Sequence, residues 1–144
     1  MSKFGVIWNG RYAEEILEDF LKDLKSREVK LRAVVVIGSR ARGAWSLSSD
    51  LDLVIIIEDE QDLKKVLLAK NIGIIDPKTY TVEDLWKALR DVDTTIVEAL
   101  EYGIVVYDDG VWDLLKKEYE KSLKSKVKIE FDESGKIIRI ALVH

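Results

Sequence analysis

Apolar residues along the chain follow two patterns, one with helical spacing and one of unbroken runs. Between Arg11 and Ser26 they recur every three or four residues, the spacing of an amphipathic helix with a charged outer face. Residues 31–37 and 50–57 are instead almost continuously apolar, which predicts two strands buried on both faces of a sheet. The first third of the chain therefore predicts one helix and two central strands.

The remaining elements alternate between helix and strand. Thr81 is placed to cap a helix, and Pro77 predicts that its strand lies at a sheet edge, because proline has no N–H for a neighbouring strand. This alternation predicts a sheet flanked by helices. The predicted helices span 61–70, 81–90, 93–102 and 111–123, the strands 72–80 and 104–107, and a hairpin pairs 127–131 with 136–143 through the turn "DESG".

Composition narrows the class of protein. With 144 residues, 47% of them apolar and 35% charged, we expect a single domain over 1–144 with one hydrophobic core. The longest apolar run, Leu53–Ile57, is far below the roughly 18 residues that span a membrane. Cysteine is absent, so disulfides and thiolate zinc sites are excluded and a cytoplasmic location is expected. The net charge of −4 argues against general binding to nucleic acid.

Two aspartates stand at the start of the second buried strand. Asp50 and Asp52 are two positions apart, so their side chains project from one face, about 6.6 Å apart along the strand. A buried, ionised Asp52 requires a positive partner. Magnesium suits this position, since it is commonly held by one or two carboxylates together with substrate phosphates. Asp76 on the next strand is placed to be a third acid, so that one or two ions are expected.

The turn after the first buried strand has the features of a phosphate site. Gly38 lets the backbone approach a ligand closely. If Ser39–Gly43 begins a short helix, its N–H groups and the Ser39 hydroxyl point at an anion near the two aspartates. Arg40 and Arg42 are expected to add charge-assisted bonds to phosphate oxygens.

Simpler interpretations of these residues stay open. Asp52 is also able to form a purely structural ion pair with Arg40 or Arg42, and only one of those arginines need contact phosphate. Asp76 before proline is equally typical of an ordinary strand end. Trp45 is placed either to stack on a base or to pack over the loop.

Residues 37–55 combine five features in one stretch: a strand, a Gly-Ser turn, a ten-residue gap, an Asp-x-Asp pair and a second strand. Their sequence is "IGSRARGAWSLSSDLDLVI". This combination resembles the signature of the polymerase-beta-type nucleotidyltransferases, in particular the minimal nucleotidyltransferases. It implies an α+β nucleotidyltransferase fold, with a mixed sheet flanked by helices and a catalytic core of about 28–108. The predicted C-terminal helix and β-hairpin, about 111–143, lie outside the motif, and a partner or dimer surface there stays open.

The resemblance also implies roles for individual residues. Asp50, Asp52 and Asp76 are then the catalytic, metal-binding carboxylates, while Gly38 and Ser39 hold the phosphates of a nucleoside triphosphate. The implied reaction transfers a nucleoside monophosphate, AMP from ATP, to an acceptor hydroxyl with release of pyrophosphate. Many minimal nucleotidyltransferases transfer AMP to a HEPN-domain toxin, so the resemblance implies a HEPN-domain protein as partner and an antitoxin role.

Two other functions fit parts of the sequence. A metal-dependent nuclease would use Asp52 and Asp76 with Lys78, but it leaves Gly38 and Ser39 unexplained. A nucleotide-binding or partner-binding module with weak or no catalysis is the other alternative. A homo-oligomer is also possible for either function.

Overall fold

The computed structural model describes residues 3–70 and 73–143, whose larger sheet has four strands in the order β3-β2-β1-β4. Strand β1 pairs antiparallel with both β2 and β4, whereas β2 and β3 run parallel. The sheet is therefore mixed, and the predicted α+β fold is confirmed. The strands are β1 (Leu31–Ile37), β2 (Leu51–Ile57), β3 (Ile75–Thr81) and β4 (Ile104–Asp108).

Helices flank this sheet on both faces. Two short 3-10 turns, Glu60–Asp62 and Lys124–Lys126, accompany them. In the ranges 3–70 and 73–143, no helix is both long and apolar enough to cross a membrane. The helices are α1 (Ala13–Ser26), α2 (Gly38–Arg42), α3 (Leu63–Ala69), α4 (Val82–Arg90), α5 (Thr94–Tyr102) and α6 (Val111–Ser122).

The apolar side chains of β1 and β2 pack into two hydrophobic clusters, one on each face of the sheet. Successive side chains of a strand point to opposite faces, so a strand covered on both sides needs apolar residues throughout. Leu53 and Ile55 face the cluster formed with α1 and α3. Val54 and Ile56 face the cluster formed with α4, α5 and α6. Asp52 continues this second alternation, so its side chain belongs to the α4–α6 face.

Local signals located several element ends correctly. Thr81 caps α4, since its Oγ1 accepts a hydrogen bond of 3.1 Å from the backbone N–H of Asp84. Pro77 lies in β3, which is an edge strand as predicted. Strand β2 begins at Leu51, so Asp50 precedes it. The predicted start of the third strand, Ile72, lies outside the described residues.

The C-terminal hairpin forms a separate two-stranded sheet of β5 (Val127–Phe131) and β6 (Ile137–Leu142). Side chains of both strands pack on the cluster between the main sheet and α4–α6. The rings of Phe131 and Tyr102 also meet edge to face, with centroids 5.7 Å apart. The hairpin is therefore held against the face of the sheet that carries Asp52.

Candidate active site

Gly38 brings the backbone of the turn after β1 against the side chain of Asp52. Its φ of +74° lies in the left-handed region that favours glycine. A Cβ at this position would lie only 2.5 Å from Asp52 Oδ2. The glycine is therefore required both by the backbone conformation and by the close approach of the carboxylate.

Asp52 and Asp76 lie side by side on the parallel strands β2 and β3. Burial raises the pKa of Asp52 to about 6; Lys78 opposes this rise, while a hydrogen bond with Asp76 and the charges of Asp76 and Asp50 add to it. Two carboxylates this close repel each other unless they share a proton or a cation. The pair therefore forms a site for positive charge.

Lys78 provides one such charge. Its Nζ lies 3.2 Å from Asp76 Oδ2. Burial acts to raise the pKa of Asp76, but the Lys78 ammonium and the hydrogen bond with Asp52 together hold that pKa below its usual value. Asp76 therefore loses its proton at lower pH than Asp52, which retains its proton up to a pKa of about 6.

Asp50 does not join this pair directly. It is exposed, and the described residues that line the adjacent cavity do not include it. It is nevertheless near enough for its charge to act on both Arg40 and Asp52. Across residues 3–70 and 73–143, no three potential metal ligands converge in one cluster. Asp52 at an open cavity, with Asp76 in register on the next strand, fits a metal ion shared with substrate phosphates better than an all-protein cage.

A cavity of about 470 Å³ opens beside Asp52. This volume lies in the range of ordinary small-molecule sites. Its wall combines the Gly38 turn, the carboxylate, helix α5 and the turn of the C-terminal hairpin. It is lined by Ile37, Gly38, Ser39, Arg42, Ala44, Asp52, Lys78, Thr95, Glu98, Ser134, Gly135, Lys136 and Ile137.

Arg42 lines this cavity and carries buried donors that have no partner within the described residues. Its Nε and Nη1 atoms are buried, yet they have no hydrogen-bond partner within the described part of the chain. Leaving buried donors unpaired is costly, and charged donors are the most costly. The Arg42 guanidinium is therefore suited to an anionic ligand, and its predicted contact with phosphate stays a prediction.

The prediction that Arg40 contacts phosphate needs correction. Arg40 is completely buried and does not belong to the described lining of the cavity. Its guanidinium also stacks over the ring of Trp45, 5.4 Å from the centroid, so Trp45 packs over the loop. All three of its nitrogens donate to backbone carbonyls, at 3.0 Å to Ser49, Phe4 and Val6 and at 3.2 Å to Ser46. Arg40 therefore fastens the loop before β2 to the N-terminal segment.

Glu98 is a cavity residue that sequence reasoning missed. Its Oε2 accepts a hydrogen bond of 3.0 Å from the backbone N–H of Gly38, sixty positions earlier in the chain. The only signal in the sequence is a charged residue among the apolar positions of α5, where Val97 and Ala99 are buried. Glu98 thereby orients the Gly38 turn and leaves fewer backbone donors of that turn for a ligand.

The hairpin turn is the second feature that the sequence did not reveal. Ser134, Gly135 and Lys136 line the same cavity as Gly38 and Asp52. The hairpin itself was predicted, but no local pattern indicates where its turn packs.

The chain is similar to a known protein family and to solved structures. A family model described as "Polymerase beta, Nucleotidyltransferase" matches residues 19–110. A crystal structure of a toxin-antitoxin with AMP-PNP shares the fold, with a TM-score of 0.50 and 16% identity over 75% of this chain and 86% of that one. A structure of a proposed nucleotidyltransferase from Sulfolobus solfataricus has a TM-score of 0.45 and 16% identity over 66% and 79% of the two chains. No curated protein sequence matches the chain. Because the family model covers more than half of the chain, the protein belongs to the polymerase beta nucleotidyltransferase family.

Proposed function

We propose that this protein is a Mg²⁺-dependent nucleotidyltransferase that transfers AMP from ATP to a hydroxyl group of a protein partner. Membership of the family supports nucleotidyl transfer as the general activity. The observation that carries the proposal is that Asp52 and the Gly38 turn meet at one cavity, while Asp76 lies in register with Asp52 on the next strand.

The paired carboxylates are the proposed metal ligands. Asp52 and Asp76 lie in register on neighbouring strands, and burial and mutual repulsion favour a cation between them. A bound Mg²⁺ would neutralise the triphosphate and help to align its α-phosphate with the acceptor. Asp50 is the proposed third ligand, and it would have to turn from its exposed position toward Asp52.

The phosphates are proposed to lie between Ser39 and Arg42. Both residues line the cavity, and Arg42 supplies buried donors that have no partner within the described chain. A guanidinium binds phosphate through directed, charge-assisted hydrogen bonds. Positioning and charge neutralisation are then the main contributions of this site to catalysis.

Asp76 is also the proposed acceptor of the proton from the attacking hydroxyl. Its pKa is held below the usual value, so it is ionised near neutral pH. A carboxylate within reach of the hydroxyl serves as a general base when the substrate is bound. The leaving pyrophosphate would stay paired with Arg42.

A protein acceptor is proposed because a structure that shares the fold is described as a toxin-antitoxin with AMP-PNP. We propose a HEPN-domain protein as the partner and an antitoxin role in the cytoplasm. These finer assignments rest on the resemblance of residues 37–55 to minimal nucleotidyltransferases.

The experiment incubates the protein with Mg²⁺, a candidate HEPN-domain protein and ATP labelled either on the α-phosphate or on the γ-phosphate. The proposal expects α-label, but not γ-label, on the partner, and its loss after Asp52→Asn. An Arg90→Gln variant, altered at the end of α4 outside the cavity lining, is the matched control and should transfer label normally.

Other outcomes separate the alternatives. Transfer of γ-label instead would identify a kinase reaction and refute nucleotidyl transfer. Cleavage of an oligonucleotide without ATP, dependent on Lys78, would favour the nuclease. ATP binding without transfer to any partner would favour the binding module.

A further inference from the structure

We propose that the C-terminal hairpin completes the nucleotide site and that Lys136 is a substrate-binding residue whose ammonium contacts the phosphates. This inference deepens the proposed function and rests on it. The family match ends at residue 110, whereas the hairpin begins at Val127. Its turn nevertheless lines the cavity that contains Gly38 and Asp52. The hairpin is therefore an element of this chain added to the matched region, at the same site.

The turn between β5 and β6 has a defined internal structure. The carboxylate of Asp132 accepts hydrogen bonds from the backbone N–H groups of Ser134 and Lys136 and from the Ser134 hydroxyl, at 2.6 to 2.9 Å. The Ser134 hydrogen bond is the main reason why the pKa of Asp132 is lowered. Gly135, with a φ of +85°, supplies the left-handed residue that the turn requires. The side chain of Lys136 is therefore carried by an ordered turn.

The strands that carry this turn are anchored beside the cavity. Side chains of β5 and β6 pack on the hydrophobic cluster that includes α5. Lys124, just before β5, lies 3.6 Å from Glu101 of α5. Thr95 and Glu98 of α5 border a smaller cavity of about 190 Å³ together with residues 137–140 of β6. The hairpin is thus fastened along the helix that forms another wall of the nucleotide cavity.

The charges in the cavity indicate what Lys136 binds. Lys78 is already paired with Asp76. Lys136, by contrast, takes part in no salt bridge among the residues that the structure describes, although its charge acts on the neighbouring Asp132 carboxylate. Arg42 also lines this cavity, and its Nε and Nη1 atoms have no hydrogen-bond partner within those residues. Two cationic side chains on one cavity, Arg42 and Lys136, favour an extended polyanion, and the triphosphate of the proposed substrate is such a ligand.

The test measures the binding of MgATP and of adenosine to the full chain by isothermal titration calorimetry. We expect Lys136→Ala to weaken MgATP binding about tenfold, the loss of one charge-assisted contact, and to leave adenosine binding unchanged. Lys136→Arg should retain most of the affinity. Lys128→Ala is the matched control, because Lys128 is an exposed lysine of the same hairpin and pairs with Glu130 outside the cavity.

The outcomes distinguish this inference from the proposed function. Wild-type binding of MgATP with no effect of Lys136→Ala would overturn the inference and leave the proposed function standing. Equal weakening by Lys128→Ala, or equal loss of adenosine binding, would also overturn it, since the effect would then come from general charge or from hairpin disruption. Failure of the wild-type protein to bind MgATP would overturn both proposals.

Discussion

Helix α2 presents two sides, each with an arginine, and the two arginines have opposite surroundings. Arg40 is completely buried, and its guanidinium is satisfied by four backbone carbonyls and the ring of Trp45. Arg42 lines the cavity, and two of its buried nitrogens have no partner in the described residues. The comparison shows that satisfied hydrogen bonding gives Arg40 a structural role, whereas the unmet hydrogen bonding of Arg42 leaves its proposed contact with a ligand as a prediction to be tested.

The largest effect on activity is expected from a change at Asp52, which lines the same cavity as Arg42. Asp52→Asn should lower the rate of nucleotidyl transfer by roughly a hundredfold to a thousandfold, the cost of removing a group that organises developing charge. The melting temperature should not fall, because burial already disfavours the charged carboxylate. Rates of label transfer and calorimetric melting measure the two effects. Retained activity, or a variant that does not fold, would contradict the assignment.

On the structural side, Arg40→Met should destabilise the protein. Four carbonyls lose their donor, and we expect the free energy of unfolding to fall by about 2–4 kcal/mol. Arg40→Lys should recover little, because one ammonium does not reproduce the planar set of donors. Urea unfolding measures the change, with Arg27→Met as a control at a surface pair with Asp23. A loss below about 0.5 kcal/mol would refute the structural role.

The difference between Arg40 and Arg42 is tested most directly by making the same substitution, arginine to methionine, at Arg42. Arg42→Met should weaken MgATP binding about tenfold, since one charged contact to phosphate is lost. The free energy of unfolding should stay constant or rise, because the substitution removes buried donors that have no partner in the described chain. Calorimetric titration and urea unfolding report the two quantities. Equal destabilisation by Arg42→Met and Arg40→Met would remove the distinction between the two sides.

The smallest expected effect is a pH dependence of stability from Asp52. The pKa of Asp52 is about 6 in the folded protein and roughly 3.9 in an unfolded chain. Between these values the folded state binds more protons, so this residue makes the free energy of unfolding decrease as pH rises from about 4 to about 6. In EDTA, the melting temperature of wild type minus that of Asp52→Asn should fall over this range. A constant difference would contradict the raised pKa.

Local patterns predicted the sheet and most element ends. The bounds of β1 match the prediction, and Thr81 and Pro77 have the predicted positions, because strand burial, helix capping and the missing N–H of proline act within a few residues. The mixed sheet is confirmed, as is the nucleotidyltransferase family. The specific roles proposed for Asp50, Asp52, Asp76, Gly38 and Ser39 stay predictions.

Contacts between distant parts of the chain could not be predicted from the sequence. The difference between Arg40 and Arg42 is invisible in the letters "GSRARG", since it depends on carbonyls of the N-terminal segment and of the loop before β2. Glu98 reaches Gly38 across sixty positions, and the turn at Lys136 reaches a cavity formed almost a hundred positions earlier. Neither the periodicity of apolar residues nor a local motif indicates which of these distant residues come into contact.

By itself, the sequence determined the alternation of helices and strands, the apolar strands buried on both faces, and the Gly-Ser and Asp-x-Asp motif on which the family resemblance depends. These properties are local, because they follow from side-chain periodicity and backbone preferences. Only the tertiary structure decided which arginine is structural, which acids lie side by side, and that the C-terminal hairpin borders the cavity. These properties depend on packing between segments, since hydrogen bonding and desolvation of a side chain are set by neighbours far away in the chain.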